Sequence, residues 1–189
     1  MNANTRTRWW LFGSVAVVGL ALDLITKYWI ANTMQVGETT PLIGQWLQIM
    51  LVYNKGAIFG LDPRDLNPHF PTNAFFYVFS VLALVILVFY YRSLKGESWL
   101  THVGVALITP GALGNLFDRL AFPDRGVVDF IMFDIGIPPF DPWPIFNLAD
   151  VYITVGVGII LLGLVREGLS KNNESSEDKP SDTASLHDS

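Results

Sequence analysis

The chain alternates between long apolar segments and shorter, more polar ones. Four apolar segments stand out, and they cover residues 9–30, 74–91, 99–116 and 145–165. A helix needs about 20 predominantly apolar residues to cross the ~30 Å hydrocarbon core of a bilayer, and each segment has close to that length. The pattern therefore predicts an integral membrane protein with four transmembrane helices.

The first apolar segment also has a feature that is typical of a secretory signal peptide, because Arg6 and Arg8 precede it. A signal peptide has a shorter apolar region, which a small-residue cleavage motif follows. This segment is longer, and no such motif follows it. We interpret it as a retained transmembrane helix.

Two long loops separate the predicted helices, at about residues 31–73 and 117–144. Residues 40–54 are rich in β-formers and end near a glycine turn, and residues 126–144 hold a second short β-like run that prolines follow. We predict an all-α membrane protein with a short strand or hairpin on the membrane surface. Residues 1–169 form one membrane domain, and the polar tail, 170–189, is expected to be disordered.

The distribution of lysine and arginine predicts the orientation. The N-terminus, the short loop after residue 91 and the tail carry most of these residues, whereas the two long loops carry few for their length. Cytoplasmic segments of membrane proteins are enriched in basic residues. Both termini are therefore expected in the cytoplasm, and the two long loops on the external face.

Composition narrows the possible chemistry. The chain is 51% hydrophobic and 15% charged, whereas soluble domains carry about 25% charged residues. It has no cysteine, which excludes disulfides, thiolate nucleophiles and cysteine-based metal sites. The histidines, His69, His102 and His187, lie far apart in sequence, so a histidine metal centre or a Ser-His-Asp triad is not expected. We expect no metal, no cofactor and no nucleic-acid partner.

Polar residues in the predicted helices share one depth, near the external ends, and two more lie in the external loops. They are Asp23, Lys27, Asn54, Asn115, Asp118, Asp129, Asn147 and Asp150. A carboxylate at bilayer depth costs at least about 2.5 kcal/mol on insertion scales. Residues placed for unrelated reasons would not be expected to converge on one level, so the pattern predicts a site at the outer interface.

Each polar residue has a structural interpretation as well as a functional one. Asp23 and Lys27 are spaced i, i+4, so a structural ion pair is favoured over catalysis. Asp118 lies at a predicted helix end, where a cap or salt bridge is favoured. Asp129 and Asp150 differ, because each interrupts an apolar stretch. For these two residues we favour a function.

Two partly desolvated carboxylates held close together have a known chemical use. Because like charges at short range cannot both ionise easily, the pair shares a proton. The ionised member can take a proton from water, and the protonated member can donate one to a carbonyl oxygen or a leaving amine. Such a pair hydrolyses an amide without metal, cysteine or histidine.

Five short motifs resemble those of the lipoprotein signal peptidases of bacteria, the signal peptidase II family. In order, they are DLITK at 23–27, NKGAIFG at 54–60, GALGNLFDR at 111–119, VVDFI at 127–131 and FNLAD at 146–150. Each motif alone is weak, but their order and the matching four-helix topology make the resemblance specific. It covers residues 9–165.

The resemblance implies an aspartyl endopeptidase of the bacterial inner membrane, an all-α protein of four transmembrane helices with a small periplasmic β-cradle and a loop over the active site. Such an enzyme cuts a prolipoprotein just before the cysteine that carries diacylglycerol, and cyclic peptides such as globomycin inhibit it. The catalytic pair maps onto Asp129 and Asp150, and Asp23 and Lys27 match a structural pair. Positions that support the site or bind substrate are Asn54, Gly56, Asn115, Arg119 and Asn147. The partners implied are the lipidated substrate, membrane lipids and globomycin-like inhibitors, and nothing requires more than a monomer.

Two other classes of protein fit some of the pattern. A proton-coupled transporter also places carboxylates in the membrane, but it needs polar residues through the full depth. Here the cytoplasmic halves of the segments are almost purely apolar, as in residues 80–89. A non-enzymatic assembly factor would use the polar cluster only to bind helices, and it would tolerate Asp→Asn at positions 129 and 150.

Overall fold

The computed structural model describes residues 3–56, 64, 67–94, 99–134, 136 and 143–177. These residues form four long helices and one three-stranded sheet. The helices are α1 (Ala3–Thr33), α2 (Thr72–Ser93), α3 (Trp99–Ala121) and α4 (Leu148–Glu177). The strands are β1 (Thr39–Ile43), β2 (Leu47–Asn54) and β3 (Val127–Phe133).

Each of the four helices contains a segment that is long and apolar enough to cross a membrane. The segments are Arg8–Thr33, Ala74–Ser93, Trp99–Ala121 and Leu148–Arg166. Large apolar side chains such as Val17, Phe79 and Leu161 are exposed on them. Exposed apolar surface of this extent is expected where helices face lipid rather than water. The prediction of four transmembrane helices is confirmed.

Helix α3 lies at the centre of the bundle and packs against the other three. Its contact with α4 depends on glycine. A methyl group on Gly104 would lie 2.8 Å from the carbonyl oxygen of Gly156, and one on Gly156 would lie 2.6 Å from that of Gly104. Small residues allow this close backbone approach, which drives helix association within lipid. The two helices that carry Asn115 and Asp150 are therefore held close together.

The sheet is antiparallel, in the order β1-β2-β3, and it packs against the end of α1. Ile30 of α1 forms a small core with Leu51, Val128 and Phe130. Successive side chains of a strand point to opposite faces, so Asp129 points away from this core. The predicted β-containing unit is confirmed, and its packing directs the Asp129 side chain towards the start of α4.

The free edge of β3 holds the segment that leads into α4. The N–H of Ile131 donates to the carbonyl of Phe146 (2.7 Å), and the N–H of Phe146 donates back (3.1 Å). The N–H of Trp143 donates to the carbonyl of Phe133 (2.9 Å). Because this segment is paired to β3, α4 begins at Leu148 and not at residue 145, where the apolar pattern begins.

Two helices are longer than hydropathy predicts. Helix α3 continues past residue 116 to Ala121, so Asp118 and Arg119 lie in its final turns. Helix α4 continues through residues 170–177, for which the sequence predicts disorder. A helix that has already formed propagates through polar residues until it meets a breaker, and the next proline is Pro180. The remainder of the predicted tail, 178–189, lies outside the described residues.

Candidate active site

Asp129 lies in the middle of β3 and is 3% exposed. Two amide side chains donate to its carboxyl group. Asn54, at the end of β2, donates from Nδ2 to Oδ2 at 3.0 Å. Asn147 donates from Nδ2 to Oδ1 at 2.6 Å. The carboxyl group therefore lies in a closed polar pocket between the sheet and the start of α4.

Asp150 lies in the first turn of α4 and takes part in a reciprocal cap. The backbone N–H of Asn147 donates to Asp150 Oδ2 at 3.0 Å, and the backbone N–H of Asp150 donates to Asn147 Oδ1 at 3.1 Å. This is a capping box, which satisfies N–H groups that a helix start leaves without partners. The cap fixes the direction of the Asp150 carboxylate, and the positive end of the helix dipole favours its charge.

Asn147 connects the two carboxyl groups. Its buried side-chain amide donates to Asp129 and, at 3.1 Å, to Asn115 Oδ1, and it accepts the backbone N–H of Asp150. Its own backbone N–H donates to the Asp150 carboxylate. Asn115, on α3, donates from Nδ2 to Asp150 Oδ1 at 2.9 Å. Asp129 and Asp150 are thus on the same side of the bundle, joined through the side-chain amides of Asn147 and Asn115.

Asp23 and Lys27 link α1 to the site. Lys27 Nζ lies 2.8 Å from Asp23 Oδ2 and 2.9 Å from Asn115 Oδ1. Asp23 Oδ1 accepts the backbone N–H of Ala149 at 2.9 Å, in the first turn of α4. A methyl group on Gly114 would collide with the Asp23 carboxylate, so α3 and α1 are in close contact here. These bonds join α1 to both helices that carry site residues.

Gly56 sets the orientation of Asn54. Its N–H donates to Asn54 Oδ1 at 2.9 Å, which leaves Nδ2 directed at Asp129. Its φ is +136°, a conformation that favours glycine. A methyl group at this position would collide with Thr72 at the start of α2.

Arg119 lies beside the carboxyl pair, at the end of α3. Its guanidinium lies 4.5 Å from the centre of the Phe76 ring, and it donates to the carbonyl of Asn115 at 3.2 Å. Its positive charge interacts with the carboxylates of both Asp129 and Asp150. Every predicted site residue is thus within this one polar cluster.

The pKa of Asp129 is raised to about 7. Burial is the main cause, because it penalises the charged form, and the negative charge of Asp150 adds to it. Hydrogen bonds from Asn54 and Asn147 act in the opposite direction but are weaker. Near neutral pH, Asp129 therefore holds a proton in a large fraction of molecules.

Sequence reasoning missed how these groups are connected. The capping box has a sequence signal, since Asn147 and Asp150 have the spacing of a cap and its partner before an apolar run. The bond from Ala149 to Asp23 has no comparable signal, because it joins the first helix to the last. The predicted loop over the site is only partly described, since residues 135 and 137–142 lie outside the described part of the chain.

Among the residues that the structure describes, no three His, Cys, Asp or Glu side chains gather in a way that could hold a metal ion. What the cluster does contain is one carboxyl group with a raised pKa, Asp129, and a second, Asp150, in a helix cap. Four membrane-spanning helices and such a pair define a multi-pass membrane protein with a candidate acid–base centre at one end of the bundle.

Comparison with known proteins agrees with the assignment to a multi-pass membrane protein with an acid–base centre. A sequence model of the signal peptidase (SPase) II family matches residues 15–166. The lipoprotein signal peptidase of Staphylococcus haemolyticus is 35% identical over 157 residues, which cover 83% of this chain and 92% of that protein. That of Syntrophotalea carbinolica is 35% identical over 155 residues, which cover 82% of this chain and 91% of that protein.

The fold has a solved counterpart. One structure of a bacterial membrane enzyme superimposes with a TM-score of 0.70 at 29% identity, covering 91% of this chain and 93% of that one. The chain therefore belongs to the signal peptidase II family. It is an aspartic peptidase, a hydrolase that removes signal peptides, as the resemblance in the sequence implies.

Proposed function

We propose that this protein removes the signal peptide from diacylglyceryl-modified prolipoproteins by cutting just before the lipidated cysteine, with Asp129 and Asp150 as the catalytic pair. Family membership supports the substrate class. The observation that carries the proposal for the residues is that Asn147 contacts both carboxyl groups, donating to Asp129 from its side-chain amide and to Asp150 from its backbone N–H.

The two carboxyl groups take opposite roles. Asp150, which accepts two N–H donors near the start of α4, takes a proton from water as the water oxygen attacks the scissile carbonyl carbon. Asp129 is protonated and donates to the carbonyl oxygen, giving a tetrahedral diol. As the diol collapses and the C–N bond breaks, the proton on Asp150 passes to the leaving amine, and one hydroxyl proton of the diol returns to Asp129.

The surrounding residues hold the Asp129 and Asp150 carboxyl groups in position. Asn54, Asn115 and Asn147 hold the carboxyl groups by direct hydrogen bonds. Gly56 orients Asn54, and Arg119 supplies a positive charge beside the developing oxyanion. Asp23 and Lys27 act structurally, by joining α1 to the helices that carry the site.

The location of the site suits a lipid-anchored substrate. We propose that both termini are cytoplasmic and that the site faces the periplasm at the inner membrane, as the lysine and arginine distribution predicts. The acyl chains then stay in the outer leaflet during cleavage, which avoids about 0.8 kcal/mol for each methylene lifted from lipid. All the described contacts of the site lie within one chain, and we propose that the enzyme acts as a monomer. We also propose that globomycin-like peptides compete with the substrate for this site.

Purified enzyme in detergent is expected to cleave a diacylated precursor peptide at one bond, just before the lipidated cysteine. Because the mechanism uses only carboxyl groups and water, EDTA and thiol reagents should leave the rate unchanged. Mass spectrometry of the products identifies the bond. Cleavage elsewhere, or a rate that EDTA abolishes and a metal restores, would contradict the proposal. An unlipidated precursor serves as the control and should react far more slowly.

The rate is expected to fall as the pH rises through about 7. Asp129 must be protonated to donate, and burial together with the charge of Asp150 raises its pKa to about 7. At two pH units above the pKa, about one molecule in a hundred keeps the proton, so kcat/KM at pH 9 should be about 100-fold below its plateau. Thermal unfolding at each pH checks that the enzyme stays folded. A rate that increases between pH 7 and pH 9 is inconsistent with Asp129 as the acid.

A further inference from the structure

Arg125 lies in the turn between α3 and β3, outside the residues discussed so far. Its guanidinium carbon is 3.8 Å from the centre of the Phe122 ring and 5.3 Å from that of Tyr53. Its Nη2 atom lies 3.4 Å from Asp118 Oδ1, and the side chain is 26% exposed. A guanidinium in contact with two rings and a carboxylate is held in one place, unlike a freely solvated base.

Asp118 connects Arg125 to the catalytic strand. Its other oxygen, Oδ2, accepts the backbone N–H of Val128 at 3.1 Å, and Val128 immediately precedes Asp129. Asp118 is buried, and Lys27 lies 3.5 Å from the same oxygen. The two oxygens therefore have different partners, with Arg125 on one side and the start of β3 on the other.

The turn that carries Arg125 lies in close contact with Asn54, which donates a hydrogen bond to Asp129. The N–H groups of Arg125 and Gly126 both donate to the carbonyl of Phe122, at 3.1 and 3.0 Å. Gly126 has a φ of +84°, and a methyl group on it would collide with the carbonyl of Asn54. A shift of this turn would therefore move Asn54, which donates to Asp129, as well as the strand that carries Asp129.

We propose that Arg125 is a positioning residue for peptide-bond hydrolysis. Held between Phe122 and Tyr53, it keeps the Asp118 carboxylate against the N–H of Val128, and this fixes Asp129 relative to Asp150. The inference rests on the proposed function, because it matters only if Asp129 takes part in the chemistry.

Loss of Arg125 removes the cation beside Asp118 Oδ1. Lys27 lies beside the other oxygen, Oδ2, and also contacts Asp23 and Asn115, so it does not replace Arg125 at Oδ1. The carboxylate can then turn about its Cβ–Cγ bond, which weakens the hydrogen bond that Oδ2 accepts from Val128. The start of β3 is then less constrained. Misplacing a catalytic group by about 1 Å can lower a rate on the order of 100-fold.

The test compares Arg125→Gln and Arg125→Lys with the wild-type enzyme, using a diacylated precursor peptide. Arg125→Gln is expected to lower kcat about 10–100-fold with KM changed less than about threefold, because the groups that bind substrate are intact. Arg125→Lys keeps the charge but not the planar fork, and an intermediate kcat is expected. Lys55→Gln removes an exposed positive charge at the end of β2 and should leave both constants unchanged.

Two further measurements separate positioning from general destabilisation. In an Asp118→Asn background, Arg125→Gln should add little to the loss, because both changes break the same connection. The fall in rate near pH 7 should also move to lower pH in Arg125→Gln, because a displaced Asp129 is less buried. A general loss of folded protein would leave the pH profile where it is.

The inference is overturned if Arg125→Gln has the wild-type kcat or if only its KM rises. It is also overturned if the fold-losses in kcat of Arg125→Gln and Asp118→Asn multiply in the double variant, or if Lys55→Gln is equally impaired. Asp129→Asn, assayed in parallel, separates the proposed function of the protein from the proposed role of Arg125. An active Asp129→Asn enzyme would refute the proposed function, whereas an inactive one beside a fully active Arg125→Gln enzyme would refute the role of Arg125 alone.

Discussion

Asp129→Asn is expected to lower kcat/KM for prolipoprotein cleavage about 10³–10⁴-fold, since it removes the acid that protonates the scissile carbonyl. The substitution changes no volume, and the protein should still insert in the membrane and purify as a folded species. Initial rates with a diacylated precursor peptide, measured beside thermal unfolding in the same detergent, give both quantities. The introduced amide also places an N–H near two amide donors, so a modest loss of stability is expected as well.

Asp150→Asn should be at least as damaging, because it removes the base that activates water. The helix start is expected to survive, since the introduced amide oxygen can still accept the N–H of residue 147. Asp124→Asn is the matched control, because Asp124 is exposed at the nearby turn, and it should retain the wild-type rate. Substantial cleavage by either the Asp129 or the Asp150 variant removes that carboxyl group from the mechanism.

Asn147→Ala is expected to lower kcat about 100-fold and to destabilise the protein by about 1 kcal/mol. Its side-chain amide donates to Asp129 and Asn115, and Asn115 in turn donates to Asp150, so its removal loosens Asp129 directly and Asp150 through Asn115. The loss of stability arises separately, from the missing helix cap. Kinetics and thermal unfolding of the purified variant measure the two effects independently.

Asn147→Ser separates these effects in one protein. Serine caps a helix about as well as asparagine, but its side chain is too short to reach Asp129 and Asn115. We therefore expect stability close to that of the wild type with activity close to that of Asn147→Ala. If Asn147→Ser were fully active, the Asn147 amide would serve only as a helix cap, and its bonds to Asp129 and Asn115 would not be needed for catalysis.

Hydropathy was sufficient to predict the four membrane helices, because a bilayer imposes one length and one polarity on whatever crosses it. The same constraint made Asp150 conspicuous, since a carboxylate in an apolar run carries a cost that structure alone seldom justifies. Runs of β-formers likewise predicted strands within residues 40–54 and 126–144. These predictions depend on local patterns, which one sequence displays directly.

The connections within the site could not be predicted in this way. The bond between Asn115 and Asp150, and the pairing of Phe146 with β3, join residues that are distant in sequence. Their geometry depends on how α3 and α4 pack, which is decided by the contact between Gly104 and Gly156. Arg125 is the clearest example of a role that the sequence does not indicate. In the sequence it is one more basic residue in an external loop, and its contacts with an aromatic ring and with the Asp118 carboxylate are seen only in the structure.

The bond from Ala149 to Asp23 has a consequence for biosynthesis. Asp23 emerges from the ribosome with the first span, and its i, i+4 neighbour Lys27 can offset its charge at once. Its second partner belongs to the final span, which is made last. Until that span arrives, the nascent chain has neither Asn147 nor Asp150. With Asp150 as the proposed base, we expect that a partly translated or truncated protein cannot cut peptides and that activity begins only after the final span has inserted.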